Sequence, residues 1–260
     1  MVKRTERKIL MLKTKVIMLL ALLIFCFSAT AHAGWVLKRV ETDGVRSATS
    51  TLYFDKNKMR SDTDNMPVAV VFNWEVNKMY TLFTQNKQFM EQDLAVMASQ
   101  LQEQAKLLAQ KDANLKYEIK RIDEVRTISG YKCKKAVAME NGKQILEMWY
   151  TEDLKDSGLI ESFNRFFEIA GVQAGAGDNV LKGMMDISKG GFIIEMTAEA
   201  RGQIPRIKVT YEKIESRTLD ANMFKPPVDF KAMNMQDMMQ MMMQQQEMEE
   251  GAPMTPAQPR

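Results

Sequence analysis

Histidine is almost missing from these 260 residues, and cysteine is scarce. The chain holds one histidine, His32, and two cysteines, Cys26 and Cys133. His32 and Cys26 both lie in a segment expected to be removed, so the mature chain keeps no histidine and one thiol. Ser-His-Asp and Cys-His nucleophile systems, His-based zinc sites and haem ligation by histidine are thereby excluded on inventory. No Cys-x-x-Cys spacing is present, which argues against thiol redox catalysis. Two cysteines are also too few for a disulfide scaffold. Cys133 reads first as a small buried apolar residue in a strand; an intermolecular disulfide or a redox-active thiol is the other reading.

Long apolar runs are missing too, apart from one near the start. Residues 1–15 carry Lys3, Arg4, Arg7, Lys8, Lys13 and Lys15 against the single acid Glu6. Val16 to Phe27 is apolar, and Ala31-His32-Ala33 follows with Gly34 next. That order predicts a cleaved secretory signal over 1–33, with export to the periplasm. The apolar run is shorter than the roughly 20 residues a spanning helix needs, so no transmembrane segment is expected in the mature chain. Phe25, bulky, stands where a lipid-attachment signal needs a small residue before Cys26.

Net positive charge is the next absence. The full chain holds 36 basic and 33 acidic residues. Without 1–33 the balance becomes 30 basic to 32 acidic. The apparent basicity belongs to the leader, and nucleic-acid binding has no electrostatic support.

What is present is mostly strand pattern. Trp35 to Thr42 and Arg46 to Phe54 are β-rich around an Asp43-Gly44 turn. Short polar turns then recur at 55–58, 75–78 and 84–87, between Met59 to Thr63, Val68 to Trp74 and Met79 to Phe83. This predicts an antiparallel meander. Val68, Val70, Phe72 and Trp74 alternate onto one face, with Ala69, Val71 and Asn73 on the other.

From Asp93 to Asp112 the period changes to three and four residues, through Leu94, Met97, Leu101, Ala105 and Leu108. An amphipathic helix is expected there, with Asp93 as its N-cap. Leu115 to Thr127 returns to strand. Thr127 to Thr151 reads as a hairpin turning at Asn141-Gly142, two residues that tolerate the positive φ of a tight turn. Glu152 to Ala170 is expected to be helical, with a large apolar stripe interrupted at Ser157-Gly158. Phe192 to Ala200 and Ile204 to Ile214 make the last hairpin, and Leu219 to Phe230 closes the domain.

Several of these stretches together resemble the DUF4412 family, exported bacterial proteins with a lipoprotein-carrier-like, LolA/LolB-type fold. The resemblance is carried by Asn57-Lys58-Met59-Arg60, by Val76 to Tyr80 leading to Asn86-Lys87-Gln88-Phe89, and by Thr127 to Lys135 with its Gly-Tyr-Lys-Cys-Lys core. It continues through Glu147 to Thr151 and Asn222 to Pro227. The resemblance implies an α+β fold: a curved antiparallel sheet, an incomplete β-barrel, with helices over its concave face. It implies no activity. One domain is expected over 34–230. Residues 231–260, rich in Met and Gln, form a low-complexity tail expected to be disordered or transiently helical.

Such a sheet either packs its helices tightly or leaves an apolar cavity beneath them. The cavity suits acyl chains. The first functional expectation is therefore a non-enzymatic carrier or sensor of an apolar envelope ligand, with a lipid or lipoprotein as ligand and an envelope protein as partner. Candidate pocket residues are Phe72, Trp149, Phe163, Phe167, Phe192, Ile194, Met196, Val209 and Tyr211. Alternation cannot separate a pocket wall from a filled core at these positions. The second expectation is soft-metal, Cu(I), binding by the tail thioethers of Met235, Met238, Met239, Met241, Met242 and Met243. A purely structural or interaction role is the third. No cofactor is called for. Carboxylate pairs such as Asp153 with Asp156, or Glu140 with Glu147, are the available acid-base stock, and no spacing singles one out.

Overall fold

The computed structural model describes residues 33–100, 103, 116–155, 157–173, 184, 186–188, 190–200, 205–234 and 236–237. Among the described residues twelve strands form one sheet. In chain order they are β1 (Ala33–Thr42), β2 (Ser47–Asp55), β3 (Lys58–Thr63), β4 (Val68–Asn73), β5 (Lys78–Phe83) and β6 (Gln88–Asp93). Then come β7 (Tyr117–Ile128), β8 (Tyr131–Glu140), β9 (Lys143–Thr151), β10 (Phe192–Ala198), β11 (Ile207–Thr218) and β12 (Lys231–Met233). The spatial order is β12-β6-β5-β4-β3-β2-β1-β11-β10-β9-β8-β7, so the described sheet is open, with β12 and β7 at its ends.

Every neighbouring pair described in register is antiparallel except β12 with β6. The expected meander is present, and short turns build it. The chain enters the left-handed region at Lys56, Asn65, Asn77 and Lys87, one for each turn between β2 and β6. The Asn141-Gly142 turn has φ of 50° and 82°, as its residue types require. Ser129-Gly130, at 51° and 85°, makes the equivalent turn between β7 and β8.

Among the described residues the longest helix, α1 (Leu159–Gln173), packs against the sheet. It starts seven residues later than expected from Glu152. Gly158, with φ of 73°, bends the chain just before it, and the Ser157 hydroxyl accepts from the Leu159 amide to cap it. The earlier helix begins where its pattern placed it. Residues 94–100 are helical, and the Asp93 carboxylate accepts from the amides of Ala95 and Val96. Strand β6 corrects the reading in which strand ended at Phe83: Gln88–Asp93 pairs with β5 along its length. Strand β12, Lys231–Met233, continues the sheet past Phe230 and buries Met233.

Curvature follows from side-chain contacts. Strands β4 and β10 stand five steps apart in the sheet, roughly 24 Å if it were flat. Yet Phe72 of β4 reaches Phe192 of β10 through the rings of α1. The centroid steps are 6.0 Å from Phe72 to Phe166, 6.4 Å to Phe163 and 4.8 Å to Phe192. The sheet therefore curls around the helix.

The other face is covered in two places. Ala69, Val71 and Leu82 pack with Phe224 of the short 3-10 turn Ala221–Phe224 and with Leu219 and Phe230. Ala136, Ala138, Leu146, Met148, Tyr150 and Ile193 pack with Met184 and Ile187. This double coverage explains why β4 is apolar on both sides.

Candidate functional site

The concave face is built by alternation. In β2, Ser50, Leu52 and Phe54 are buried at every second position, and in β11 Val209 and Tyr211 are the buried pair. These residues meet Leu37, Met59, Phe72, Trp149, Phe192 and Ile194 in one cluster. Into it α1 inserts Leu159, Ile160 and Phe163. Phe163 is the hub: its ring lies 4.8 Å from Phe192, 5.7 Å from Tyr211 and 6.2 Å from Phe54.

Seven of the nine sequence-derived pocket candidates come together here. Phe72, Trp149, Phe163, Phe192, Ile194, Val209 and Tyr211 share this buried cluster. Met196 is half-buried at its edge. The Phe167 side chain, and the tail candidates Met235, Met238, Met239, Met241, Met242 and Met243, lie outside the described residues. Phe54 was missed, although the alternation of β2 contained the signal, and Phe166 belongs to the apolar stripe expected of the helix over the wall.

Helix α1 is held to the sheet by few polar contacts. The Ser162 hydroxyl donates to the Lys56 carbonyl at 2.7 Å, and the Arg165 guanidinium donates to the Asn57 side chain. Both anchors lie on the β2–β3 turn. At its cap the Trp35 indole donates to the Ser157 carbonyl at 3.2 Å, and the rest of the described attachment is apolar packing of Leu159, Ile160, Phe163 and Phe166.

A polar network adjoins the cluster at Trp149. The Trp149 indole donates to Glu147 at 2.8 Å. The Arg126 guanidinium sits 4.0 Å from the ring centroid and pairs with Glu195. Lys208 reaches the same carboxylate at 2.9 Å, and Thr210 donates to it at 3.2 Å. Lys135 bridges Glu124 and Glu147 at 3.1 and 3.2 Å. Burial raises the Glu147 carboxyl, but the indole N–H and Lys135 outweigh it and hold it below its ordinary value. Arg126 and Glu195 are 69 positions apart, so no local pattern pointed to them.

Cys133 is fully buried, and burial pushes its thiol up to about 11. Full burial and a raised thiol both suit a packing role in the strand. Tyr211 is buried likewise, its phenol pushed up to about 12. Glu140 accepts from the Tyr117 hydroxyl at 2.8 Å and Glu147 from Trp149, so these two carboxylates have separate partners. Among the described residues no three His, Cys, Asp or Glu side chains gather as a metal site, and no helix is long and apolar enough to cross a membrane.

Comparison with known proteins gives one family. The family described as "Domain of unknown function (DUF4412)" matches residues 36–230. Curated proteins give no match. Among solved structures, an uncharacterized conserved protein from Thermus thermophilus is 6% identical, with 78% of this chain and 90% of that one covered and a TM-score of 0.44. The Pseudomonas aeruginosa MucA/MucB complex is 8% identical, covering 78% of this chain and 59% of that one, at 0.42. A putative outer membrane lipoprotein-sorting protein domain from Vibrio parahaemolyticus is 8% identical, covering 75% and 90%, at 0.26.

Proposed function

The chain belongs to the DUF4412 family, and from that premise we propose that it is a non-enzymatic cell-envelope protein that binds an apolar ligand. The ligand class is the acyl chain of a lipid or lipoprotein. The site is the concave wall of Phe54, Phe72, Phe192 and Tyr211, in the space that Phe163 and Phe166 of α1 now fill.

The observation that carries this reading is the way α1 is attached. Its aromatic side chains fill a curved aromatic wall, while its described polar ties to the sheet are two contacts on the β2–β3 turn and the Trp35 indole on the Ser157 carbonyl at its cap. Gly158 supplies a bend at its start. Such a helix can leave the wall as a unit. An acyl chain entering behind it restores the buried apolar contact, at about 0.8 kcal/mol for each CH₂. The exchange substitutes one apolar filling for another and leaves the sheet intact.

The test is native mass spectrometry of the chain exported to a bacterial periplasm and purified without detergent, paired with titration of a fluorescent fatty acid. A co-purifying lipid or lipopeptide lost on denaturation is expected. Phe163→Ala should take up the probe more tightly, because the plug is smaller. A clean apo mass with no probe uptake by either form would overturn the reading.

A further inference from the structure

Strand β7 ends the sheet, and most of its length is exposed. It is twelve residues long, and among the described residues only β8 pairs with it. Its sequence from Glu118 to Arg126, EIKRIDEVR, has a specific order: charges one side of Ile122 are answered by opposite charges at equal distance on the other. Arg121 mirrors Asp123, Lys120 mirrors Glu124, and Glu118 mirrors Arg126. Ile119 mirrors Val125, apolar with apolar, and Ile122 mirrors itself.

From this order we infer that β7 is a contact between two copies of the chain, paired antiparallel about a two-fold axis at Ile122. Antiparallel pairing of a strand with its own copy brings residues at equal distance from the axis opposite one another. Directly opposite residues on one face interact, favourably for unlike charges and unfavourably for like ones. Unlike charges then face one another at three positions, and apolar residues at one, on each side of the axis, where Ile122 meets its own copy. The same patch meets itself, which is the closed form of a homodimer interface.

Two structural observations point the same way. Ile122 is 39% exposed and Val125 49% exposed, large apolar side chains left open on the end strand. Arg121 and Asp123, next to the axis, have no ion-pair partner among the described residues, whereas Lys120, Glu124 and Arg126 already have partners within the chain. The two charges nearest the axis are thus the ones each copy can offer the other.

Between Ile122 and Val125 the ladder to β8 shifts by two residues. Bulges commonly guard an edge against indiscriminate strand addition. Here the two extra residues on β7 are Asp123 and Glu124, and because the insertion is even, Ile122 and Val125 keep their inward and outward phase relative to β8. The inference is independent of the ligand proposed above.

Sedimentation velocity of the purified chain, from micromolar to millimolar, tests it. A species of twice the chain mass is expected to grow with concentration and to weaken with salt. Arg121→Asp alone puts like charges opposite at two places, as does Asp123→Arg alone, and each should be monomeric throughout. The double variant R121D/D123R should dimerise again. An equimolar mixture of the two single variants should form the mixed dimer, because each then supplies what the other lacks. Both side-chain changes are at exposed positions, and circular dichroism checks that folding is unchanged. A monomeric parent chain, association of the single variants equal to the parent, or failure of both the double variant and the mixture to recover would overturn the inference.

Discussion

The Arg126 guanidinium lies 4.0 Å from the centroid of the Trp149 ring and pairs from there with the Glu195 carboxylate. One cation thus serves a buried aromatic face and a buried anion, across strands β7, β9 and β10. Arg126→Ala leaves Glu195, 8% exposed, with Lys208 and Thr210 alone. Because Arg126 is itself partly exposed, a loss of about 1–3 kcal/mol is expected, below that of a fully buried pair. Urea unfolding followed by tryptophan fluorescence measures it. Arg126→Lys should recover only part, since an ammonium cannot lie flat on the ring while it binds the carboxylate. Equal stability of all three proteins would remove the network from the account.

Phe163→Ala should cost about 3–5 kcal/mol, because the ring touches Phe54, Phe166, Phe192 and Tyr211 at once. Calorimetry gives the number. Added acyl ligand should return part of the loss if the cavity is occupied by it.

Two glycines should differ sharply. At Gly191 a Cβ would stand far inside contact distance of the Thr151 carbonyl oxygen, and backbone cannot move aside cheaply. Gly191→Ala should destabilise by about 1–3 kcal/mol through overpacking. Gly142 has open space around it but a φ of 82°, so Gly142→Ala should cost only about 1 kcal/mol. Thermal unfolding of the two variants ranks them, and the reverse order would refute the close approach at Thr151.

Cys133 should resist alkylation in the native protein and react once unfolded. Its thiol keeps its proton to about 11 when folded, against an ordinary value of 9.0. Between those values the unfolded chain binds fewer protons, so stability falls as pH rises through that window. Below pH 9 the contribution is fully present. Cys133→Ala should flatten the fall, and unfolding at a series of alkaline pH values shows whether it does.

Much of the sheet was legible because a strand half-buried on one face repeats every second residue, and the turn residues mark where it reverses. The Asn141-Gly142 turn and the alternation of Val68 to Trp74 are cases in point. Strand β6 was not legible: Gln88 to Asp93 has only Phe89 and Met90 as large apolar residues, and its pairing with β5 supplies what its composition does not. The start of α1 was misplaced because the apolar stripe began at Leu154, which is buried in the cluster without being helical. Arg126 and Glu195 could not have been joined from the sequence, since their contact depends on the strands from β7 to β10 meeting in register.

The amino-acid sequence by itself determined the strand periods, the tight turns, the family membership and the charge order of β7, all of which are local and need only neighbours along the chain. Tertiary structure alone decided that β4 and β10 face one another across α1, that Phe163 joins their rings, and that Arg126 finds Glu195. The reason is physical. Alternation says that a side chain leaves the sheet on one face, but the curl of the sheet decides which distant side chain it meets there.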